Sequence, residues 1–399
     1  MLKSYKYRVY PNEEQKILIS KMFGCSRFVY NWGLDKKIKA YETDKTKLTC
    51  FDLANQLPEL KKHNPWLKEA SGQALQMSLR NLDNAFTAFF KKNSRFPKFK
   101  SKHSDRQSCQ FPQYVKVDFE KNMIVFPKIG ETQVIFDRQF DGKIKTTTLR
   151  KTLTNKYFVS VLVDDGLELP PKFPITEDLM VGIDVGIKHF ATLSTGEKVE
   201  NPKFLKKSQT RLGILQRKLS KKSKTSMNRK EIKLKVAIHH ERIANQRSDF
   251  LHKLTHKLVC ENQATMFVCE DLNVDGMLKN HCLAKSISDV SWSKFFELMN
   301  YKCEWAGKTF TRIGRFDPSS KICHVCGQIN HNLQLKDREW TCESCQTHHD
   351  RDLNAAINIK KFGFIRSQGT EIESKQSPLE RSVPEAGAMK EGSHTVNSV

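Results

Sequence analysis

Acidic residues are scarce in this 399-residue sequence relative to basic ones. Forty-four Asp and Glu stand against 68 Lys and Arg, which leaves a formal net charge of +24 and a pI near 9.5. A surplus of this size suits a long polyanion much better than a small acidic substrate. Nucleic acid is therefore the partner that the composition predicts.

Long apolar runs are also lacking. No run reaches the roughly 18 residues of a membrane-spanning helix, and no signal peptide opens the chain. These absences disfavour the competing interpretation, a basic membrane-surface protein, and we expect no membrane partner. The sequence predicts a cytoplasmic, nucleoid-associated protein whose length suits two or three domains.

Regular spacing is missing from most of the eleven cysteines, which disfavours a disulfide framework. We expect reduced thiols at seven of them: Cys25, Cys50, Cys109, Cys260, Cys269, Cys282 and Cys303.

The other four cysteines, Cys323, Cys326, Cys342 and Cys345, form two C-x2-C pairs separated by fifteen residues. This spacing lets four sulfurs close a tetrahedron around Zn2+, and a filled shell predicts a structural site. A redox CxxC pair is the alternative. Nearby histidines (His324, His348 and His349) are expected not to bind the metal.

The N-terminal half alternates between strand and helix patterns. Residues 3–10 have the period of a half-buried strand, and Asn12 with Gln15 predicts a capping box at the start of a helix. A leucine and phenylalanine stripe over 74–90 predicts a second helix, while short alternating segments from 111 to 163 predict a small β-barrel or sandwich.

Two basic segments are candidates for nucleic-acid contact. Residues 95–102, RFPKFKSK, interleave two phenylalanines with cations, although a solvated loop anchored by those rings is the alternative. Residues 203–242 carry fourteen Lys or Arg against two Glu, although a solvated helical face also fits this pattern. The candidate residues are Arg95, Lys98, Lys100, Lys221, Lys222, Lys224 and Arg229.

An acidic residue interrupts the apolar run VGIDVGIKHFATL, which is typical of a strand buried on both faces. Burying the carboxylate of Asp184 costs several kcal/mol unless it is paired or holds a metal. The alternative is that Asp184 only caps a turn before Gly186 and has no catalytic role. A second apolar strand, TMFVCEDLNV, carries Glu270 where it ends.

A third carboxylate lies in DRDLNAAINI, directly after the cysteines. In a helix, Asp352 shares one face with Ala355, Ala356 and Ile359, so it points toward the sheet, whereas Asp350 suits the N-cap. Three converging carboxylates need cations to stay ionised. Two Mg2+ or Mn2+ ions about 4 Å apart would fit them and would support phosphodiester hydrolysis.

Together GIDVGIKHFATL, CEDLNV, the cysteine pairs and DRDLNAAINI resemble the split RuvC-type nuclease domain of the TnpB (OrfB) family. These are transposon-associated proteins related to type V CRISPR effectors. YKYRVYPNEEQ and RFPKFKSK are similar to the same family, so the resemblance covers nearly the whole chain.

The resemblance implies a multidomain α/β protein, with an RNase H-like (RuvC-type) nuclease domain, an inserted zinc ribbon, and a wedge-type β-barrel interrupted by a helical recognition lobe. The implied bounds are 1–10 and 111–170 for the wedge, 11–110 for the lobe, 175–318 and 350–362 for the nuclease domain, 319–349 for the ribbon and 363–399 for a disordered tail.

The resemblance further implies RNA-guided cleavage of DNA beside a short flanking motif, with guide RNA and target DNA as partners. By motif match the catalytic, Mg2+-binding roles fall on Asp184, Glu270 and Asp352, and the Zn2+ roles on the four cysteines. Two rivals stay open: a catalytically idle RNA-guided DNA-binding repressor, and a conventional transposase that joins strands.

The tail generates a first prediction. Residues 370–399 are poor in aromatics and rich in Ser, Glu and Gly, which is typical of disorder. Deleting them should leave guided DNA cleavage nearly intact in a cleavage assay. A large loss of cleavage by a normally folded, shortened protein would contradict the interpretation.

Overall fold

The computed structural model describes residues 1–103, 107–334 and 336–369. It divides into two compact units, and each consists of two separate stretches of chain. The first unit combines Met1–Pro170 with Lys203–Phe250, and the second combines Pro171–Pro202 with Leu251–Val399. The tail from residue 370 onward, which we expect to be disordered, lies outside the described residues.

The first unit contains a seven-stranded antiparallel sheet. Its alternating residues are buried, as along Tyr157–Asp164, where every second side chain is inaccessible to solvent. The strand order is β2-β6-β7-β1-β5-β4-β3. Closure of this sheet into a barrel stays a prediction. The strands are β1 (Leu2–Tyr10), β2 (Gln107–Phe111), β3 (Lys116–Asp118), β4 (Met123–Phe126), β5 (Gly130–Ile135), β6 (Lys143–Lys151) and β7 (Tyr157–Asp164).

Helices of the first unit come from the N-terminal lobe and from the basic segment. The Asn12–Gln15 capping box is confirmed, because each side chain accepts from the other residue's backbone N–H. Leu75, Leu79 and Leu82 of helix α4 (Gly72–Phe90) are fully buried, whereas Phe90 at the end of this helix is 72% exposed. The helices are α1 (Glu13–Asp44), α2 (Cys50–Asn55), α3 (Leu57–His63), α4 (Gly72–Phe90), α5 (Phe204–Ser220) and α6 (Met227–Cys260), and α6 ends in the second unit.

Two domain bounds differ from the sequence analysis. Residues 203–250, expected in the nuclease domain, cluster with the first unit, where Lys156 donates to Glu241 of α6 at 2.9 Å. Strand β2, expected within the helical lobe, pairs with β6. Both differences arise from long-range contacts that the local pattern of a sequence does not record.

The second unit is built on a mixed five-stranded sheet of order β10-β9-β8-β11-β12. Strands β8, β11 and β12 are parallel, while β9 and β10 are antiparallel to their neighbours. The central strands are almost continuously apolar, as expected for strands covered on both faces. The strands are β8 (Met180–Val185), β9 (His189–Leu193), β10 (Lys198–Glu200), β11 (Met266–Glu270) and β12 (Thr309–Ile313).

Within the described residues, a short hairpin and four further helices complete the second unit. The last helix continues to residue 367, five residues beyond the expected end at 362. These elements are α7 (Val274–Met277), α8 (Ala284–Val290), α9 (Trp292–Trp305), β13 (Glu339–Thr341), β14 (His348–Asp350) and α10 (Arg351–Ser367). Throughout the part of the chain that the structure describes, every helix is too short or too polar to cross a bilayer.

Helix α10 packs directly on β8, and a glycine makes this close approach possible. A Cβ atom on Gly182 would overlap the carbonyl oxygen of Ala356 and lie 2.6 Å from the backbone nitrogen of Lys360. Gly363 likewise sits against the Val268 side chain of β11. The helix backbone therefore lies against the strand backbone, with only small residues between them.

Replacing Gly182 by Ala should destabilise the protein by about 1–3 kcal/mol or more, because the new methyl group meets backbone atoms that have little room to move. Thermal unfolding of the purified variant measures this effect. Gly213→Ala in α5 is the matched control, since a Cβ there meets nothing within 4 Å. The control should be neutral or slightly stabilising, and equal melting temperatures for both variants would contradict the close approach.

Candidate functional site: three carboxylates beside a cysteine cluster

The register of two parallel strands places Asp184 and Glu270 next to each other. Gly182 pairs with Val268, and Ile183 pairs with Cys269. The next step of this register brings Asp184 beside Glu270, at the carboxyl ends of β8 and β11. Because side chains alternate along a strand, both carboxylates lie on the sheet face that includes Gly182 and Val268.

The same face is covered by α10, which brings the third carboxylate. Ala356 lies over Gly182, and Asp352 is one helical turn before Ala356. Buried Ala355, Ala356 and Ile359 confirm the expected orientation of the helix, and Asp352 is half-buried. Three residues that are far apart in sequence therefore lie on one face of the sheet, near the point where the strands end and the helix begins.

Their mutual charge is visible in the pKa of Asp184. Burial raises the pKa of this carboxyl well above its usual value, and the carboxylates of Glu270 and Asp352 raise it further. A divalent cation would offset both effects, since opposite charge favours the ionised form. The donor set, three carboxylates with hard oxygen atoms, fits Mg2+ or Mn2+.

Glu270 has a defined hydrogen-bond partner. The hydroxyl group of Ser319 donates to its Oε1. Burial raises the pKa of Glu270, whereas the Ser319 hydrogen bond acts in the opposite direction. One carboxylate oxygen is thus held by the protein. The neighbouring Asp271 behaves differently, because it is half-buried and pairs with Arg312 and Arg315 at 3.4 and 3.2 Å.

Asp350 caps helix α10, as expected from the sequence. The side chain of Asp350 accepts from the backbone N–H groups of Asp352 and Leu353, so Asp350 is the N-cap of α10. Burial alone would raise the pKa of Asp350, but hydrogen bonds from Lys198 (2.6 Å) and from Leu353 hold it below its usual value. Asp352 makes a looser contact, 3.8 Å to Arg338.

The four cysteines also converge. Their ligand atoms all lie within 4.8 Å of one another, with Sγ–Sγ distances of 3.6 Å (Cys323–Cys345) and 3.5 Å (Cys326–Cys342). A tetrahedral Zn2+ site with Zn–S bonds of about 2.3 Å has edges of about 3.8 Å. The geometry therefore fits a four-thiolate zinc centre. The other seven cysteines are free thiols, as expected.

Local backbone geometry supports metal binding at each cysteine pair. Gly327 and Gln346 follow the two pairs, and both have the positive φ (79° and 57°) that the tight turns require. Gln346 takes this conformation without the steric freedom of glycine. Hydrogen bonds from Thr347 lower the pKa of Cys345 to about 6, which favours the thiolate form of this cysteine. A backbone hydrogen bond from Gln328 lowers the pKa of Cys326, but burial and the other three thiols together raise it to about 11.

One histidine lies closer to the cysteines than expected. His349 is buried, and its Nε2 lies 3.1 Å from Cys323 Sγ. His324 Nδ1 instead contacts the side-chain oxygen of Asn354 at 3.0 Å. His349 therefore contacts one of the four thiols, and these thiols remain the candidate set of metal donors.

The candidate nucleic-acid residues of the 95–102 loop are held against the helices of the first unit. Phe96 packs edge-on against Phe86 and Phe89. Lys100 lies 3.7 Å from the Tyr30 ring centroid, and its backbone exchanges two hydrogen bonds with Asn31. Arg95, Lys98 and Phe99 are exposed.

The basic segment forms the helical pair α5 and α6. Lys221, Lys222 and Lys224 are exposed in the turn between them. Arg229 is half-buried, and its guanidinium donates to the carbonyl oxygens of Leu219 (2.6 Å) and Lys222 (3.1 Å). Arg229 therefore stabilises the turn, and its contact with nucleic acid stays a prediction.

Sequence reasoning missed the residues that connect the carboxylates to the cysteines. Ser319, Asn354 and Asn358 are buried polar residues, and all three are hydrogen-bonded. One available signal was the spacing of the two asparagines, which lie four residues apart on one side of the predicted helix DRDLNAAINI.

Comparison with protein families matches three parts of the chain. Residues 164–281 match a family described as "Probable transposase", and residues 292–359 match the "Cas12f1-like, TNB domain". Residues 1–46 match a family described as "Helix-turn-helix domain". In this structure that stretch is one strand and one continuous helix, β1 and α1, so the family's description does not describe its fold here.

A solved chain has the same fold. It comes from the "Cryo-EM structure of the Cas12f1-sgRNA-target DNA complex" and aligns with a TM-score of 0.58 at 12% identity. The alignment covers 90% of this chain and 98% of that one.

Curated relatives match over nearly the full length. A Streptomyces pristinaespiralis protein named "Putative RNA-guided DNA endonuclease" is 39% identical over 92% of this chain and 90% of its own length. InsQ of Escherichia coli K12, with the same description, is 31% identical over 95% and 98%. TnpB-like protein L79 of Acanthamoeba polyphaga mimivirus is 23% identical over 91% and 74%. The chain belongs to the TnpB (OrfB) family.

The cysteine cluster generates a metal prediction. Cys342→Ser removes one of four thiolates, so bound zinc, measured by atomic absorption, should fall well below one equivalent. The start of α10 should loosen as well, which limited proteolysis detects. Cys260→Ser is the control, because Cys260 is an exposed free thiol. Full zinc content in Cys342→Ser would exclude a four-thiolate site.

Proposed function

We propose that this protein is an RNA-guided, metal-dependent DNA endonuclease of a transposon, which cleaves target DNA beside a short flanking motif. The observation that carries the proposal is that Asp184 and Glu270 lie side by side on one sheet face and that Glu270 and Asp352 both raise the pKa of Asp184. Support also comes from family membership, from the names of the relatives, and from the net charge of +24.

The RNase H-like (RuvC-type) assignment rests on the second unit. Its mixed sheet has three parallel strands beside two antiparallel ones, with acids at the ends of β8 and β11 and a covering helix that supplies the third. The first unit supplies an antiparallel sheet for the proposed wedge and helices for the proposed recognition lobe.

Each carboxylate contributes to the proposed hydrolysis through its position. Asp184, Glu270 and Asp352 would hold Mg2+, which when bound activates water and stabilises the leaving oxygen of a phosphodiester. Ser319 keeps one oxygen of Glu270 oriented, and the cap at Asp350 fixes the first turn of the helix that carries Asp352. Zn2+ at the four cysteines would order the segment that precedes this turn.

Affinity for nucleic acid would come from other residues. Exposed lysines in the α5–α6 turn and the exposed cations of the 95–102 loop suit phosphate contacts. Guide RNA and target DNA are the proposed partners, and such a protein would act inside the cell, at the nucleoid. Binding and cleavage would therefore depend on different parts of the molecule.

The chain offers a matched pair of variants that test this function. Asp352→Asn should lower guided DNA cleavage at least about 100-fold, because it removes a proposed metal ligand. Removing a residue that only hydrogen-bonds a metal ligand typically has a smaller effect. Asp350→Asn removes the same charge two residues away but keeps a good N-cap, so its cleavage should stay near wild type. Binding of RNA and DNA should be unchanged in both variants.

Cleavage is measured on a guided target with Mg2+ supplied or chelated, and binding is measured in parallel. Glu270→Gln and Asp271→Asn form a second pair, since Asp271 pairs with surface arginines. Products should be cut ends; joined strands would instead indicate a transposase. Active Asp352→Asn with inactive Asp350→Asn would reverse the assigned roles, and wild-type cleavage by all four variants would exclude this site.

A further inference from the structure

Ser319 is a buried serine in the loop between β12 and the first cysteine pair. Only 4% of its surface is exposed, and its hydroxyl donates to Oε1 of Glu270. Buried serine hydroxyls commonly bond a nearby backbone carbonyl. This hydroxyl instead bonds a carboxylate that is 49 residues away in sequence.

The backbone around Ser319 is held by two amide side chains of α10. Asn358 Nδ2 donates to the carbonyl oxygens of Ser319 (2.8 Å) and Ile322 (2.7 Å). Asn354 Nδ2 donates to Ile322 at 2.7 Å, and its Oδ1 accepts from the backbone N–H of His324 at 3.0 Å. Both asparagines are at least 98% buried.

These contacts form one continuous chain of bonds. It runs from His324, between the first two cysteines, through the α10 amides to Ser319 and then to Glu270. If the two asparagines had only a structural role, they would bond the same backbone carbonyl groups whatever side chain stood at residue 319. The hydroxyl group of Ser319 is the additional feature, because it contacts the carboxylate of Glu270.

A free glutamate side chain samples several rotamers, and ordering it costs on the order of 1–2 kcal/mol of entropy. A hydrogen bond to one oxygen removes part of that cost in advance, and it leaves Oε2 available for a cation. Outer partners of this kind typically change metal affinity or activity by about 10- to 100-fold when they are removed.

We propose that Ser319 is a positioning residue for Glu270, and that Asn358 transmits the order of the cysteine cluster to this carboxylate through Ser319. The inference rests on one part of the proposed function, namely that Glu270 holds a divalent cation. The zinc ribbon would then have a second role, since it would set the geometry of the carboxylate site as well as stabilise the fold.

The test compares Ser319→Ala with Ser320→Ala in the full-length protein. Ser320 is the neighbouring, half-buried serine, and its backbone oxygen accepts a hydrogen bond from Asn354 of α10. Mn2+ binding is titrated by electron paramagnetic resonance on the free protein, with Asp184→Ala as the background. Guided cleavage is measured over a range of Mg2+ concentrations, and zinc content and melting temperature are recorded for each variant.

Ser319→Ala should weaken Mn2+ binding about 10-fold and raise the Mg2+ concentration for half-maximal cleavage by a similar factor. Its cleavage rate should recover at high Mg2+, with zinc content unchanged, and Ser320→Ala should match wild type. Wild-type Mn2+ affinity in Ser319→Ala, or an equal loss in Ser320→Ala, would overturn the inference. If the wild-type protein fails to cleave, the proposed function is wrong. The Mn2+ titration still tests, independently of cleavage, whether Ser319 contributes to cation binding.

Asn358→Ala tests the connection to the cysteine cluster. This variant should shift the Mn2+ midpoint in the same direction as Ser319→Ala, and the double variant should shift it no further, because both changes act through one hydrogen bond to Glu270. Zinc content should be retained, since no cysteine changes. Additive shifts in the double variant would show that Asn358 acts independently of Ser319, which overturns the transmission.

Discussion

Electrostatic repulsion among three carboxylates is the main constraint on the structure of the second unit. Asp184 lies on a central strand, where burial and two neighbouring acids raise its pKa. Without a bound cation, these surroundings disfavour the ionised form of the carboxyl group. The surrounding fold nevertheless brings the acids together through Gly182, which lets α10 touch the strand. A larger residue at that position would separate the acids and relieve the repulsion. The contact with Gly182 therefore favours an arrangement that is unfavourable without a cation, as is common for sites built to bind one.

Much of this site could be predicted from local pattern. Apolar runs of strand length predicted β8 and β11, and the helical period of DRDLNAAINI predicted which face of α10 is buried. The same period separated Asp352 from its capping neighbour Asp350, which the structure confirms. Cysteine spacing predicted the thiol cluster. In each case, the physical cause acts within a few residues, so that a single sequence contains it.

Other features depend on contacts between distant segments, which periodicity does not record. The hydrogen bond from Ser319 to Glu270 is one example, since neither residue has a local pattern that names the other. Assignment of residues 203–250 to the first unit is another, because charge density describes their surface and not the elements that they pack against. Strand β2 was missed for a similar reason: QSCQF is mostly polar and becomes a strand by pairing with β6.

The order of the elements along the chain also bears on synthesis. The three acids lie at positions 184, 270 and 352, and the last is carried by a helix that must pack on the first strand of its sheet. Chains emerge from the ribosome N-terminal end first, and domains fold as units. The first unit requires residues only up to 250, and its last helix, α6, ends at Cys260, so its sheet and helices are complete long before α10 is made. A nascent or prematurely terminated chain could therefore present its basic surfaces while lacking one of the three acids.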